Sequence, residues 1–135
     1  MPPSVDMSEI NFWTRSTIAQ DGVTIYPDRL RVLYSPNGTT MTGGCDNNDF
    51  GDFTEELLVI NPNLGTDDHP TGYPYNNWTE FNVAVPGSGR VAFVYHVTDA
   101  GPTGTNSNYI GIDTVSWVER PNDVIFASGF EQITP

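Results

Sequence analysis

An all-β fold, an antiparallel jelly-roll β-sandwich, is what this sequence predicts, and three observations carry the prediction. Apolar residues recur at every second position in short runs, with no sustained helical period. Turn formers close the runs: Gly occurs 13 times and Pro 11 times in 135 residues. About seven such runs follow one another, the number that two packed antiparallel sheets use. The length suits one domain with a core of its own. An aromatic content of 12% is too high for a disordered chain.

Ile10 and Phe12, with Trp13 on the opposite face, predict a first strand over residues 8–16. Leu30, Val32 and Tyr34 alternate with Arg29 and Arg31, the pattern of a half-buried strand ending at Ser35-Pro36-Asn37-Gly38, where Asn-Gly signals a turn. Residues 39–52 are polar and Gly-rich and read as a loop. Residues 54–60 (T-E-E-L-L-V-I) fit either a strand or one helical turn leading into a strand, stopped by Asn61-Pro62-Asn63. A long loop, 64–77, carries Asp67, Asp68, His69, Tyr73 and Tyr75. Trp78, Phe81, Val83 and Val85 mark the next strand, closed by Pro86-Gly87-Ser88-Gly89. Val91, Phe93, Tyr95 and Val97 form another, with Ala92, Val94 and His96 on its second face. Residues 109–119 follow, and after Arg120-Pro121-Asn122-Asp123 a last β-prone run covers 124–127.

Seventeen acidic against five basic residues give a net charge of −12. Binding to phosphate backbones needs clustered Lys and Arg, so nucleic acid is excluded as a partner. No run approaches the ~20 apolar residues of a membrane helix, so no membrane insertion is expected. No basic start precedes an apolar run, so no signal peptide is read here. The lone Cys45 allows no intrachain disulfide and no cysteine zinc site, and reads as an incidental thiol.

Within the strand 109–119, Asp113 interrupts an apolar pattern. A carboxylate there is costly unless a metal, a donor or water meets it, which leaves core defect, cation ligand and solvent-facing residue all open. The run Asp46-Asn47-Asn48-Asp49-Phe50-Gly51-Asp52 has the oxygen density of a calcium loop, with a solvated Asn/Asp turn as the plainer reading. It is not an EF-hand, because Phe50 takes a ligand position and Leu57 stands where the bidentate Glu belongs. Asp67, Asp68 and Asp99 are weaker candidates of the same kind.

Catalysis finds no support. Glu55, Glu56, Glu80 and Asp113 show no spacing that pairs them as a glycosidase requires. His69 reads as surface and His96 as a half-buried structural residue, and no G-x-S-x-G, H-E-x-x-H or phosphate loop occurs. Tyr73, Tyr75 and Trp78, with Trp13 and Arg15, have the makeup of a glycan site, in which aromatic faces stack on sugar rings and Arg reads hydroxyls. The alternative places Trp78 in the core at the start of its strand and the tyrosines in loop packing. The matches Asn37-Gly38-Thr39 and Asn77-Trp78-Thr79 to glycosylation sequons read as chance.

The series N-F-W-T-R (11–15), D-R-L-R-V-L-Y-S-P-N-G (28–38), W-T-E-F-N-V-A-V (78–85), G-R-V-A-F-V-Y (89–95) and Y-I-G-I-D-T-V-S-W (109–117) resembles the choice-of-anchor J domain. That domain is related to the cleaved-adhesin domains of bacterial surface proteases and, more loosely, to MAM and galactose-binding-like jelly rolls. The resemblance spans roughly residues 4–118, in order. It implies a secreted or cell-surface bacterial module for adhesion or accessory binding, with a glycan or a host or cell-surface protein as partner. It also implies a structural calcium ion held at Asp113. The family's opening strand, of the type F-x-E-x-F-E, has no counterpart at Met1-Pro2-Pro3-Ser4, whereas D-V-I-F-A-S-G-F-E (123–131) resembles it. Residues 1–118 are therefore expected as the sandwich, and 119–135 as a strand or tail completing it, within the chain or by strand exchange with a neighbour. A sorting or processing segment and a floppy tail are the rival readings. Glu131 then joins Asp113, Asp46, Asp49 and Asp52 as an expected calcium ligand. The expected function is a non-catalytic adhesion or accessory module with structural calcium; a carbohydrate-binding module serving an enzyme and a structural spacer are the alternatives.

Overall fold

A computed structural model describes residues 5–37 and 49–121. The described chain is all-β, with no helix, in six strands: β1 (Val5–Arg15), β2 (Leu30–Ser35), β3 (Glu55–Ile60), β4 (Thr79–Ala84), β5 (Ser88–Tyr95) and β6 (Gly111–Glu119). Every pairing is antiparallel. The strands form one curled sheet rather than a demonstrated pair of sheets: β3, β2 and β5 are neighbours in one half, and β4, β1 and β6 in the other.

β1 joins the halves. Along Glu9–Thr14 its one edge takes β4, while β6 runs along the other from Met7 to Arg15. At its start, Val5 and Asp6 pair instead with Gly89 and Ser88 of β5. Gly89 sits at this corner with φ 154°, and a β-carbon there would lie 2.2 Å from the Ser35 carbonyl oxygen. Only glycine lets β1, β2 and β5 approach so closely.

The core fills the inside of the curl. Ile10 and Phe12 from β1 meet Val83 of β4, Leu30, Val32 and Tyr34 of β2, and Ile60 of β3. Phe12 is fully buried, stacked on Phe81 (centroids 5.6 Å apart) and edge-on to Phe93 (4.9 Å). Burying a ring of this size stabilises by roughly 2–3 kcal/mol, and paired aromatics add about 0.5–1.5 kcal/mol.

The structure shifts or decides several points of the sequence reading. β1 begins at Val5, because β5 offers it partners before residue 8. The ambiguous run 54–60 is a strand, fixed by pairing with β2. β2 is more than half-buried: Leu33 and Ser35 on its second face are buried too, since β3 and β5 flank it on both edges. Arg29, expected on a wet face, is also buried; its guanidinium donates from Nε to the His96 carbonyl (2.7 Å) and from Nη1 to that of Pro62 (3.1 Å). The expected strand at 124–127 and the proposed exchange through 123–131 lie outside the described residues.

Candidate functional site

The outer face of β4–β1–β6 is the side turned away from Phe12. Residues paired across an antiparallel ladder share a face, and that face recurs at i+2. The register therefore sets two rows across the strands. Trp13 stands between Glu80 of β4 and Asp113 of β6, and Asn11 stands between Asn82 and Ser116. Asp113 is exposed on this face, so it is not a defect in the core.

β6 carries an irregularity here. The ladder slips between Asn11 and Trp13, with one extra residue on β6, and Thr114 takes φ 52°. The left-handed region is an outlier for a β-branched residue, at a cost of roughly 1–3 kcal/mol. Bulges re-aim side chains. This one sets Asp113 and Thr114 together on the outer side and returns Trp117, paired with Ile10, to the inner one. The Thr114 amide donates to Asp113 Oδ1 at 2.7 Å.

Trp78 stands just ahead of β4 and reaches across the end of β1 to β6, its Cη2 only 2.8 Å from where a β-carbon on Gly111 would be. The glycine makes room for the indole. The loop before Trp78 is held by polar contacts. Arg15 Nε donates to the Tyr75 carbonyl at 3.0 Å. The Asp68 carboxylate accepts from the amides of His69 (2.9 Å) and Tyr75 (2.9 Å) and from Asn76 Nδ2 (2.7 Å). Burial opposes the charge on Asp68, but these donors outweigh it and hold its pKa below the ordinary carboxylate value.

Trp13, Trp78, Asp113 and Thr114 line an open cleft of about 170 Å³. Both indoles are accessible, Trp13 at 37% and Trp78 at 44% of full exposure. Trp78 is thus a surface residue outside the strand, not a core residue beginning it. Tyr73, expected as a stacking residue, is instead buried in the core, its hydroxyl 2.7 Å from Thr14 Oγ1. Burial raises its pKa and removes its ring from any ligand. Tyr75 is half-buried. Arg15 serves the loop through its Nε.

Of the expected calcium ligands, Asp49, Asp52 and Asp113 are described, and these three do not stand together. Asp49 is exposed and accepts from the Gly51 amide (3.0 Å). Asp52 is half-buried, 3.4 Å from Asn37 Nδ2. Asp46 and Glu131 lie outside the described residues. Among the described residues no three His, Cys, Asp or Glu side chains stand together as a metal site. No described helix is long and apolar enough to cross a membrane.

One polar cluster escaped sequence reasoning. Asp28 is fully buried, yet its carboxylate accepts from the hydroxyls of Ser16 and Tyr95 and from the Asn108 amide (2.9 Å). It ties the end of β1, the end of β5 and the segment leading to β6. Burial and the bond to Asp28 push the Tyr95 pKa up to about 12. An Asp placed just before a strand carries no sign of such convergence. His96, read as structural, is half-buried with Arg31 Nε 3.2 Å from its Nδ1. Comparison with protein-family models, with curated proteins and with solved structures gives no match.

Proposed function

We propose that this chain is a non-catalytic binding module of jelly-roll type that holds a glycan on the outer face of β4–β1–β6. The observation that carries the reading is the cleft between two exposed tryptophans, Trp13 and Trp78, with Asp113 at its side. Exposed indoles have no reason in the core, and they offer a flat apolar face with a polar rim, the amphipathic surface a sugar ring presents in mirror form. The cleft is smaller than the ~300–1,000 Å³ pockets that enclose a drug-sized ligand. It suits one ring of a longer chain lying across an open face. Asn82 and Ser116, exposed one row away, supply an amide and a hydroxyl for further sugar hydroxyls.

Hydrolysis is the poorer reading of the same face. Glu80 and Asp113 are separated by two strand spacings, roughly 10 Å at the backbone, with Trp13 of β1 between them in the register. The resemblance to choice-of-anchor J domains adds support for a secreted or surface-attached bacterial accessory module. Adhesion to a protein surface is a second reading, favoured by the exposed Val115, Trp117 and Val118 of β6.

A glycan array probed with the full chain tests the proposal. Binding to at least one glycan class is expected, and Trp13→Ala or Trp78→Ala should each weaken it by about 2 kcal/mol, roughly 30-fold. A folded protein that binds no glycan ends the carbohydrate reading and leaves adhesion.

A further inference from the structure

We infer that the sugar-binding face continues past the cleft to Tyr109, and that it takes an internal stretch of a neutral, β-linked polysaccharide lying along β6. The inference rests on the carbohydrate reading above and names the class and length of its ligand.

Alternation along β6 and the residues before it places a third aromatic ring. Ile110 packs against the core, and Ile112 is paired with the fully buried Thr14, so both point inward. Tyr109, Gly111 and Asp113 therefore belong to the outer face. Gly111 has no side chain, and the Trp78 indole lies over it, with three ring carbons 2.8, 3.5 and 3.6 Å from where a β-carbon would be. Asp113 stands opposite Trp13. The outer side thus presents Tyr109, then Trp78 laid on Gly111, then Trp13 beside Asp113. Alternate residues of a strand lie roughly 6.5 Å apart, so the three stations span roughly 13 Å, longer than one sugar ring. Tyr109 is the most open of the three, at 66% exposure. Its backbone is nevertheless pinned. The Asn108 amide donates to Asp28 Oδ1 (2.9 Å) and Asn108 Nδ2 to the Thr17 carbonyl (3.2 Å), while the Tyr109 carbonyl accepts from Ser16 Oγ (3.4 Å). An aromatic ring on a fixed backbone offers contact area at little cost in ordering.

Charge selects an uncharged ligand. Arg15 shares this face, level with Gly111 and two residues from Trp13, and its charge persists although Nε donates to the Tyr75 carbonyl. Asp113 brings acceptors and Arg15 brings donors to the same rings, the combination that sugar hydroxyls require. Opposite charges side by side suit neither a polyanion nor a polycation, and the net −12 further repels a polyanion. The row of rings selects the linkage. A β-1,4-linked chain is an extended ribbon whose apolar ring faces meet successive aromatics, whereas an α-1,4-linked chain coils away from a straight row.

The test titrates the full chain calorimetrically with β-1,4-linked glucose and mannose oligomers of two to six rings, and with the α-1,4-linked glucose hexamer. At least one β-linked series should bind roughly 10-fold tighter as the hexamer than as the dimer, and tighter than the α-linked hexamer. Tyr109→Ala, checked for an unchanged melting temperature, should weaken the hexamer roughly 10-fold and the dimer little. Tyr109→Phe keeps the ring and should bind as the unaltered chain does. Equal affinity for dimer and hexamer overturns the inference, as does a Tyr109→Ala chain that holds the hexamer undiminished or loses both lengths equally. Preference for the α-linked hexamer overturns it too. If no β-linked oligomer binds, the inference falls, and the glycan array decides the sugar reading separately: any glycan bound leaves that reading standing, and none removes it.

Discussion

At the scale of single residues, the two aspartates of opposite fate are the most informative. Asp113 interrupts an apolar pattern and is exposed; Asp28 stands unmarked before a strand and is fully buried. Sequence shows alternation but not which edge a strand occupies, so it could not separate these cases. Replacing Asp28 by Ala leaves the Asn108 amide without its acceptor and turns the hydroxyls of Ser16 and Tyr95 to the Tyr109 carbonyl (3.4 Å) and Ser107 Oγ (2.8 Å) alone. Unsatisfied buried donors cost ~1–3 kcal/mol each, and water reaching Tyr95 offsets part of this. A loss of about 3 kcal/mol in chemical denaturation is expected, and a loss below 1 kcal/mol would show that the cluster is not structural. Tyr95 adds a pH limb. Its folded pKa of about 12 lies above the ordinary value of 10. A raised pKa means the folded chain keeps a proton that the unfolded chain has released. This stability is fully present below pH 10 and is lost as pH rises towards 12. Melting temperature followed across that window should fall, and Tyr95→Phe should fall less steeply.

At the scale of elements, β6 holds both the cleft and an open edge. Among the described residues it pairs with β1 alone. Trp117 pairs with Ile10 and so faces inward, yet it is 44% exposed, and Ile112, paired with Thr14, is 37% exposed. A strand laid along this edge would cover both, along with Val115. The expectation that residues 123–131 do so gives a direct measurement. A chain ended at Pro121 should be less stable than the full chain by about 3 kcal/mol, the yield of finishing the burial of three half-exposed apolar side chains. Equal stability assigns the edge to something other than this segment. The elements themselves were legible, since period-2 patterning and Asn/Pro/Gly stops mark β1 to β6 within a few residues. The cleft was legible only in pieces. Trp13, Trp78 and Asp113 were each visible as candidates, but register brings them together, and register depends on a bulge at Thr114 that no residue type announces. Gly111, Glu80 and Asp68 were missed as parts of the site for the same reason. The signal was present in one form only: Trp78 with Glu80, and Gly111 with Asp113, stand two apart and must share a face.

At the scale of the whole molecule, charge dominates. Seventeen acidic residues repel one another in a chain of this size, and compaction brings them closer. Divalent cations relieve that repulsion whether or not they occupy one site, so two behaviours must be distinguished. A structural calcium ion should raise the melting temperature in a saturable way, by RT ln(1 + [Ca]/Kd), and magnesium should not substitute for it. General screening should give the same rise with either ion or with added sodium chloride. Melts in calcium, magnesium and chelator decide between them. Identical curves in calcium and chelator defeat the calcium expectation.

The position of β1 has a further consequence in time. Among the described strands β1 is made first and its β6 partner last: Met7 waits for Glu119, 112 residues later by subtraction. Neither β4 nor β6 exists when β1 emerges, so a strand carrying the apolar Ile10 and Phe12 stays unclosed while the intervening chain is made. Such long-range pairing folds slowly once the chain is complete. The hazard during that interval is not loss of stability but capture of β1 by the same strand of a nascent neighbour.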